Sequence, residues 1–125
     1  MLPHVRFTLI DSIKKKTEVL KTIIEELKLN NCEVICIRSE DLSRKFDLII
    51  GRAVSNLNDF IKSTKHLVKN NEIENRILKP GIIYLKGGQI DEELKLIRHK
   101  TKVFNIYEKI QEDYFKEKYI LYITF

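Results

Sequence analysis

Residues 7–16 read FTLIDSIKKK, an apolar run that stops at an acid and continues into a lysine-rich helix start. Val5 to Ile10 has strand composition, and from Ser12 the apolar residues recur at spacings of three and four, as they do along one stripe of a helix. A strand that ends in Asp beside a nucleotide pocket looks like this, but a glycine-rich phosphate loop normally precedes that Asp by about 20 residues. Only ten residues precede Asp11. The stretch predicts a strand–helix unit of an α/β fold and leaves its ligand open.

Length and composition predict a single cytoplasmic domain over residues 1–125, with 43% hydrophobic and 33% charged residues. No apolar run approaches the roughly 20 residues of a membrane span, and no secretory signal pattern is present, so we expect no membrane association. The 23 basic and 18 acidic residues give a net charge of +5, which suits a polyanionic partner without requiring one. Cys32, Cys36 and the three dispersed histidines form no ligand cluster, so no metal is expected.

Further strand-like and helix-like segments follow along the chain. Strands are predicted at 33–37, 46–50, 82–86, 103–107 and 119–125, and helices at 56–68 and 90–98. This alternation predicts an α/β fold with a mainly parallel sheet. The last two strands have only the polar EKIQEDYFKEK between them, so they should pair antiparallel, and KNNEIENRILKP (69–80) should be a surface excursion.

Ligands of open α/β sheets bind beyond the carboxyl ends of the strands, which directs attention to the residues that follow each strand. Asp11 would accept ribose hydroxyls, or would merely favour the positive end of the next helix. Ser39 and Glu40 would border an adenine or cap a helix, and Arg52 and Lys86 would grip a phosphate or base edge or remain solvated. No nucleophile set and no Walker-type loop is recognisable, which disfavours hydrolases and kinases.

The ordered segments FTLIDS, the lysine pair, RSE, FDLIIGRAVSNL, LKPGIIYLKGG and KYILYITF together resemble one family. It is the small-subunit ribosomal RNA methyltransferase G family, also called glucose-inhibited division protein B, and the resemblance spans essentially the whole chain. It implies a Rossmann-like class I methyltransferase fold with S-adenosylmethionine as cofactor. It also implies methylation of a guanosine N7 in 16S rRNA, with the rRNA or the small ribosomal subunit as partner.

The resemblance also assigns roles to individual residues. Asp11 matches the acid at the cofactor ribose, and Ser39 and Glu40 match the pair beside the adenine. Arg52 matches the arginine near both cofactor and target base, and Lys86 matches the lysine of the L-K-G motif; these two are the implied catalytic residues. The basic positions that would face cofactor or RNA are Lys15, Lys16 and Arg38.

The chain departs from the family pattern at one point. The family's glycine motif precedes the FTLID strand, and its strand is the central one, between those represented here by VRFTLI and FDLII. We therefore expect a partial methyltransferase domain whose first strand and glycine loop are missing, and which is inactive by itself. Two alternatives stay open: a non-catalytic RNA-binding remnant of a methyltransferase, and a nucleotide-binding regulatory domain of another Rossmann-like class.

Overall fold

A computed structural model of the protein describes residues 2–52, 55–70 and 77–125. The chain divides into two compact units, of which the first ends at Leu42 and the second runs from Ser43 to Phe125. Ala53 and Val54 of the predicted R-A motif, and positions 71–76 of the predicted surface excursion, lie outside the described residues. Within the described ranges, no helix has the length and apolar character that crossing a membrane requires.

The first unit is a β–α–β arrangement built from the opening stretch. Strand β1 (Phe7–Asp11) and strand β2 (Cys32–Cys36) pair in parallel, with Asp11 opposite Cys36, and helix α1 (Lys14–Glu26) connects them. Both strands therefore finish at the same edge. A 3₁₀ turn at Ser39–Asp41 follows β2.

The predicted apolar stripe of α1 forms, but much of it faces solvent. Leu20 and Ile24 are half-buried, whereas Val19 and Leu27 are 55% and 63% exposed. Thr17 is buried, and its hydroxyl donates to the carbonyl of Lys14 at 2.7 Å. Helical periodicity thus predicted the helix correctly, while burial of its apolar face within this unit is only partial.

The second unit contains a four-stranded mixed sheet in the order β3-β4-β6-β5. Strands β3 and β4 are parallel, and both β4 and β5 run antiparallel to β6. The strands are β3 (Leu48–Arg52), β4 (Gly81–Gly87), β5 (Lys100–Asn105) and β6 (Lys118–Thr124). The helices are α2 (Leu57–Thr64), α3 (Asp91–Lys95) and α4 (Ile106–Lys109).

The hydrophobic core of this unit lies on the two inner strands, β4 and β6. Ile82 faces Ile123 and Tyr84 faces Leu121 across the ladder, and all four side chains are fully buried. Burying a large apolar side chain stabilises a fold by roughly 1.5–3 kcal/mol, so these paired positions account for a large share of the unit's stability. Helix α2 covers them with three buried residues, Leu57, Phe60 and Ile61.

Helix α2 begins at a side-chain cap. The side-chain oxygen of Asn56 accepts a hydrogen bond from the backbone N–H of Asp59 at 2.9 Å, which satisfies one donor of the first helical turn. The acid Asp59 also lies at the positive end of the helix dipole. Local sequence therefore fixes the start of α2, and its buried apolar face orients it on the sheet.

The predicted α/β class is confirmed, and so is the antiparallel pairing of the last two strands. The prediction of one mainly parallel sheet needs correction, because the described strands form two sheets with two parallel and two antiparallel pairs. The two sheets are separate because neither β1 nor β3 hydrogen-bonds to a further described strand on its second edge. Among the described residues, β1 pairs only with β2, and β3 forms its ladder only with β4, so each keeps one unpaired edge.

Candidate functional site

A cavity of about 570 Å³ opens in the second unit at the carboxyl ends of β3 and β4. This is the edge at which α/β sheets bind ligands. The volume lies within the roughly 300–1,000 Å³ of small-molecule sites. Arg52 and Lys86, the two residues implied to be catalytic, both line the cavity. The other lining residues are Ser55, Tyr84, Leu85, Gly87, Ile106, Tyr114, Phe115, Lys118 and Tyr119.

The register of the sheet explains why these residues meet. Arg52, the last residue of β3, is paired with Leu85, so it lies one position from Lys86 on the neighbouring strand. Lys86 is in turn paired with Tyr119. Because β6 runs antiparallel to β4, its first residue, Lys118, lies at the same edge. Three cationic side chains from three adjacent strands are thereby brought to one opening.

Lys86 is already engaged in an ion pair. Its Nζ atom donates to Oε1 of Glu93 in helix α3 at 2.8 Å, and both side chains are about three-quarters buried. Arg52, in contrast, is exposed. Of these two, Arg52 can therefore reach a ligand directly, whereas Lys86 would do so only while shared with, or released from, Glu93.

The remaining cation, Lys118, is paired with Gly87 across the β4–β6 ladder. A Cβ atom on Gly87 would be 3.0 Å from Nζ of Lys118, which is the flexible end of that side chain, so the ammonium group lies directly beside Gly87. The Nζ atom of Lys118 then lies 5.6 Å from the centroid of the Tyr114 ring. Among the described lining residues three are cationic and none is acidic, so the cavity favours an anionic ligand.

One wall of the cavity was missed by sequence reasoning. The segment EKIQEDYFKEK (108–118), interpreted as a simple polar connection, contains the end of α4 and a 3₁₀ turn at Asp113–Phe115. The strand predicted at 103–107 ends earlier, at Asn105, because α4 begins at Ile106. The 3₁₀ turn supplies Tyr114 and Phe115 to the cavity. The signal that could have found it was an aromatic pair in an otherwise charged loop, since such residues at exposed positions often mark binding surfaces.

Asp11, the acid in the FTLIDSIKKK stretch, lies in the first unit at the end of β1. Oδ1 of Asp11 accepts a hydrogen bond from the backbone N–H of Ile13 at 2.9 Å, and this bond closes a turn immediately before α1. The acid thus has a local structural role whether or not it binds a ligand. A ribose would be held by Oδ2 or would compete with Ile13 for Oδ1.

The other predicted residues of the first unit follow the two strands. Arg38 precedes the 3₁₀ turn after β2, and within that turn the Ser39 hydroxyl donates to Oε2 of Glu40 at 3.2 Å. Lys15 and Lys16 are exposed in the first turn of α1. Because β1 and β2 are adjacent and parallel, Asp11 and the Ser39–Glu40 pair share one edge of their sheet. In the described ranges no group of three or more His, Cys, Asp or Glu side chains has a metal-binding arrangement.

Comparison with known proteins defines the class to which this α/β chain belongs. The family model described as rRNA small subunit methyltransferase G (GidB) matches residues 1–118. A protein named ribosomal RNA small subunit methyltransferase G from Flavobacterium psychrophilum is 39% identical over 123 residues, which is 98% of this chain and 57% of the relative. A protein of the same name from Phocaeicola vulgatus is 36% identical over 124 residues, 99% of this chain and 58% of the relative.

A third relative, from Porphyromonas gingivalis, has the same name and is 35% identical over 123 residues, 98% of this chain and 55% of the relative. The chain belongs to the rRNA small subunit methyltransferase G family. It spans between 55% and 58% of the length of these three relatives.

Proposed function

We propose that the protein acts in the methylation of a guanosine N7 in 16S rRNA, with S-adenosylmethionine as methyl donor. The family match over residues 1–118 carries this proposal. The cationic cavity at the carboxyl ends of β3 and β4 supports it, because a polyanionic RNA requires such a surface. Since the chain covers only part of the length of its relatives, we propose the full activity for the longer enzyme of which these residues form the matching part.

The donor set of the first unit fits the adenosine part of the proposed cofactor. Two carboxylates and a hydroxyl, from Asp11, Glu40 and Ser39, lie at the ends of two adjacent parallel strands. Carboxylates accept hydrogen bonds from ribose hydroxyls, and a hydroxyl both donates to and accepts from a base edge. We propose that these residues hold the adenosine, while bound S-adenosylmethionine supplies an electrophilic methyl group.

The reaction needs little from the protein beyond positioning. Guanine N7 carries a lone pair and no proton, so no general base is required before methylation. The absence of a recognisable nucleophile or acid–base set in the sequence is consistent with this chemistry. The contribution of the protein is then alignment of the two reactants, which can supply several kcal/mol of the barrier reduction.

Arg52 has a constrained role in such a site. Methylation at N7 makes the guanine base cationic, so a guanidinium pressed against the ring would oppose the reaction. We therefore propose that Arg52 addresses guanine O6 or a neighbouring phosphate, both of which accept hydrogen bonds from arginine. The exposed position of Arg52 at the cavity mouth suits either contact.

Mass mapping of 16S rRNA from source cells that lack the gene tests the proposed reaction. We expect loss of one N7-methylguanosine, restored by the wild-type gene and not by one encoding Arg52→Ala. Single-turnover methylation by the purified longer enzyme should fall tenfold or more for Arg52→Ala, about 1.4 kcal/mol per factor of ten. Unchanged N7 methylation in the deletion strain would refute the assigned reaction.

The alternative, RNA binding without catalysis, is favoured by the net charge of +5 and by the cations at the cavity. The deletion strain and the purified protein also distinguish RNA binding without catalysis from methylation. A protein that binds 16S rRNA with a steep salt dependence, but whose deletion leaves every methylated guanosine in place, would be a binding module.

A further inference from the structure

The 3₁₀ turn at Asp113–Phe115 presents an aromatic ring to solvent beside the cavity. Tyr114 is 73% exposed, and its ring forms a T-shaped pair with that of Phe115, with centroids 5.1 Å apart and an interplanar angle of 88°. Phe115 is half-buried and so anchors the pair. A tyrosine that is 73% exposed at a cavity wall adds little to folding, and much of its ring surface is accessible to a ligand even though Lys118 lies over the ring.

One cation lies over this ring, and a second lines the same cavity. Lys118 lies 5.6 Å from the Tyr114 centroid, and Arg52 lines the same cavity from β3. Lysine and arginine next to an exposed aromatic ring form the combination that proteins use for single-stranded nucleic acids, in which the base stacks and the backbone is neutralised. A carboxylate-rich peptide would use the cations but would leave the aromatic face without a planar partner, and a neutral sugar could stack on the ring but would leave the cations without an anion.

The substrate chemistry also requires an accessible base. In a base-paired A-form helix, guanine N7 faces a deep and narrow major groove that side chains cannot enter. Enzymes that modify a base therefore act on an unpaired nucleotide or turn one out of the stack. A pocket for the target must then hold a single nucleotide by stacking and by phosphate contacts.

We propose that this cavity binds one unstacked purine nucleotide of RNA, with its base stacked on Tyr114 and its phosphate held by Lys118. This assignment deepens the proposed function and rests on it. It adds Tyr114 and Lys118 as substrate-positioning residues. Phe115 packs against the Tyr114 ring, and the Nζ atom of Lys118 lies beside Gly87.

The test is an NMR titration of this chain with guanosine monophosphate, guanosine and cytidine monophosphate. The wild type should bind guanosine monophosphate saturably and more tightly than cytidine monophosphate. Tyr114→Ala should weaken both guanosine ligands roughly 5- to 100-fold, the range of one lost base stack, while Tyr114→Phe stays close to wild type. Lys118→Gln should weaken guanosine monophosphate far more than guanosine, because only the former carries a phosphate.

Phe104→Ala is the matched control, since Phe104 is 52% exposed on β5 of the same sheet and does not line the cavity. It should bind guanosine monophosphate like the wild type. Two results would overturn the proposal: no saturable binding at millimolar nucleotide, or equal affinity in Tyr114→Ala and Phe104→Ala. The titration contains no methyl donor, so its outcome is independent of the rRNA mapping that tests the reaction itself.

Discussion

The Nζ atom of Lys86 lies 2.8 Å from Oε1 of Glu93, and this ion pair ties the end of β4 to helix α3. Oε2 of the same carboxylate is buried and has no hydrogen-bond partner among the described residues. The lysine is therefore the principal group that compensates the Glu93 charge. Lys86, which the family resemblance implies to be catalytic, therefore also stabilises the fold.

Lys86→Met should lower the free energy of unfolding by roughly 1–2 kcal/mol, because it leaves a partly buried carboxylate without its cation. Glu93→Gln should cost less, since it removes the charge together with the need for a partner. The double variant Lys86→Met/Glu93→Gln should be more stable than Lys86→Met alone. Urea denaturation followed by linear extrapolation measures all three. Equal stability of the double variant and Lys86→Met would show that the carboxylate does not depend on the lysine.

Asp11 has two separable tasks, since its carboxylate closes the turn before α1 and is proposed to bind the cofactor ribose. Asp11→Ala should remove the turn hydrogen bond, at about 1 kcal/mol of stability, and weaken S-adenosylmethionine binding by roughly 1–3 kcal/mol. Asp11→Asn keeps an oxygen acceptor for the Ile13 N–H and should preserve stability while still weakening cofactor binding. Calorimetric titration and thermal unfolding separate the two effects. Full cofactor affinity in both variants would remove Asp11 from the proposed site.

Gly51 has no room for a side chain, which constrains the strand that ends in Arg52. A Cβ atom at this position would fall into the ring of Phe60, 2.7 Å from its Cε2 atom. Gly51→Ala should therefore cost roughly 1–3 kcal/mol through overpacking, measured by urea denaturation. Adding Phe60→Leu should recover part of that loss, because the two residues share one space.

The control for Gly51 is Gly88, where φ is +80° and a Cβ atom would have no neighbour within 4 Å. Gly88→Ala should cost about 1–2 kcal/mol from backbone conformation alone. Phe60→Leu should not rescue it. Rescue of both glycine variants to the same extent would contradict a specific clash at Gly51.

His99 should make stability depend on pH. Its pKa is lowered from 6.5, chiefly by burial and secondly by the charge of Lys65. Because the unfolded chain binds the proton more readily than the folded one, His99 favours folding above about pH 6.5, and this contribution is lost as the pH falls through the lower, folded-state pKa. His99→Gln should flatten the unfolding midpoint between neutral and mildly acidic pH. A pH profile of His99→Gln that coincides with that of the wild type would contradict this role.

Much of the fold was predictable because it depends on short-range pattern. The aromatic and β-branched residues of YILYITF and the apolar run before Gly87 predicted β6 and β4 to within one residue. The short polar connection between the last two strands predicted their antiparallel pairing. The strand starting at Phe46 was placed two residues early, because Phe46 makes a single bridge with Val68 and the ladder begins at Leu48.

The residues of the candidate site were predictable only where a general rule relates a residue's position in the sequence to its position in the fold. Residues that follow parallel strands meet at one edge, and this rule brought Arg52 and Lys86 to the same cavity. The rule does not predict which acidic residue forms an ion pair with Lys86. The partner of Lys86 comes from helix α3, and no local pattern in DEELK distinguishes Glu93 from its acidic neighbours.

By itself, the sequence determined most of the strands, the two longer helices, the α/β class and the strand ends where ligands would bind, since each follows from a pattern over a few residues. Only the tertiary structure decided that the described strands form two sheets and that Tyr114 and Lys118 join Arg52 at one cavity. The loop that carries Tyr114 has no periodicity of its own. It reaches the cavity because β6 runs antiparallel to β4, so that the start of β6 lies beside the end of β4. Such a neighbourhood depends on hydrogen bonds between residues more than 30 positions apart, which no local pattern encodes.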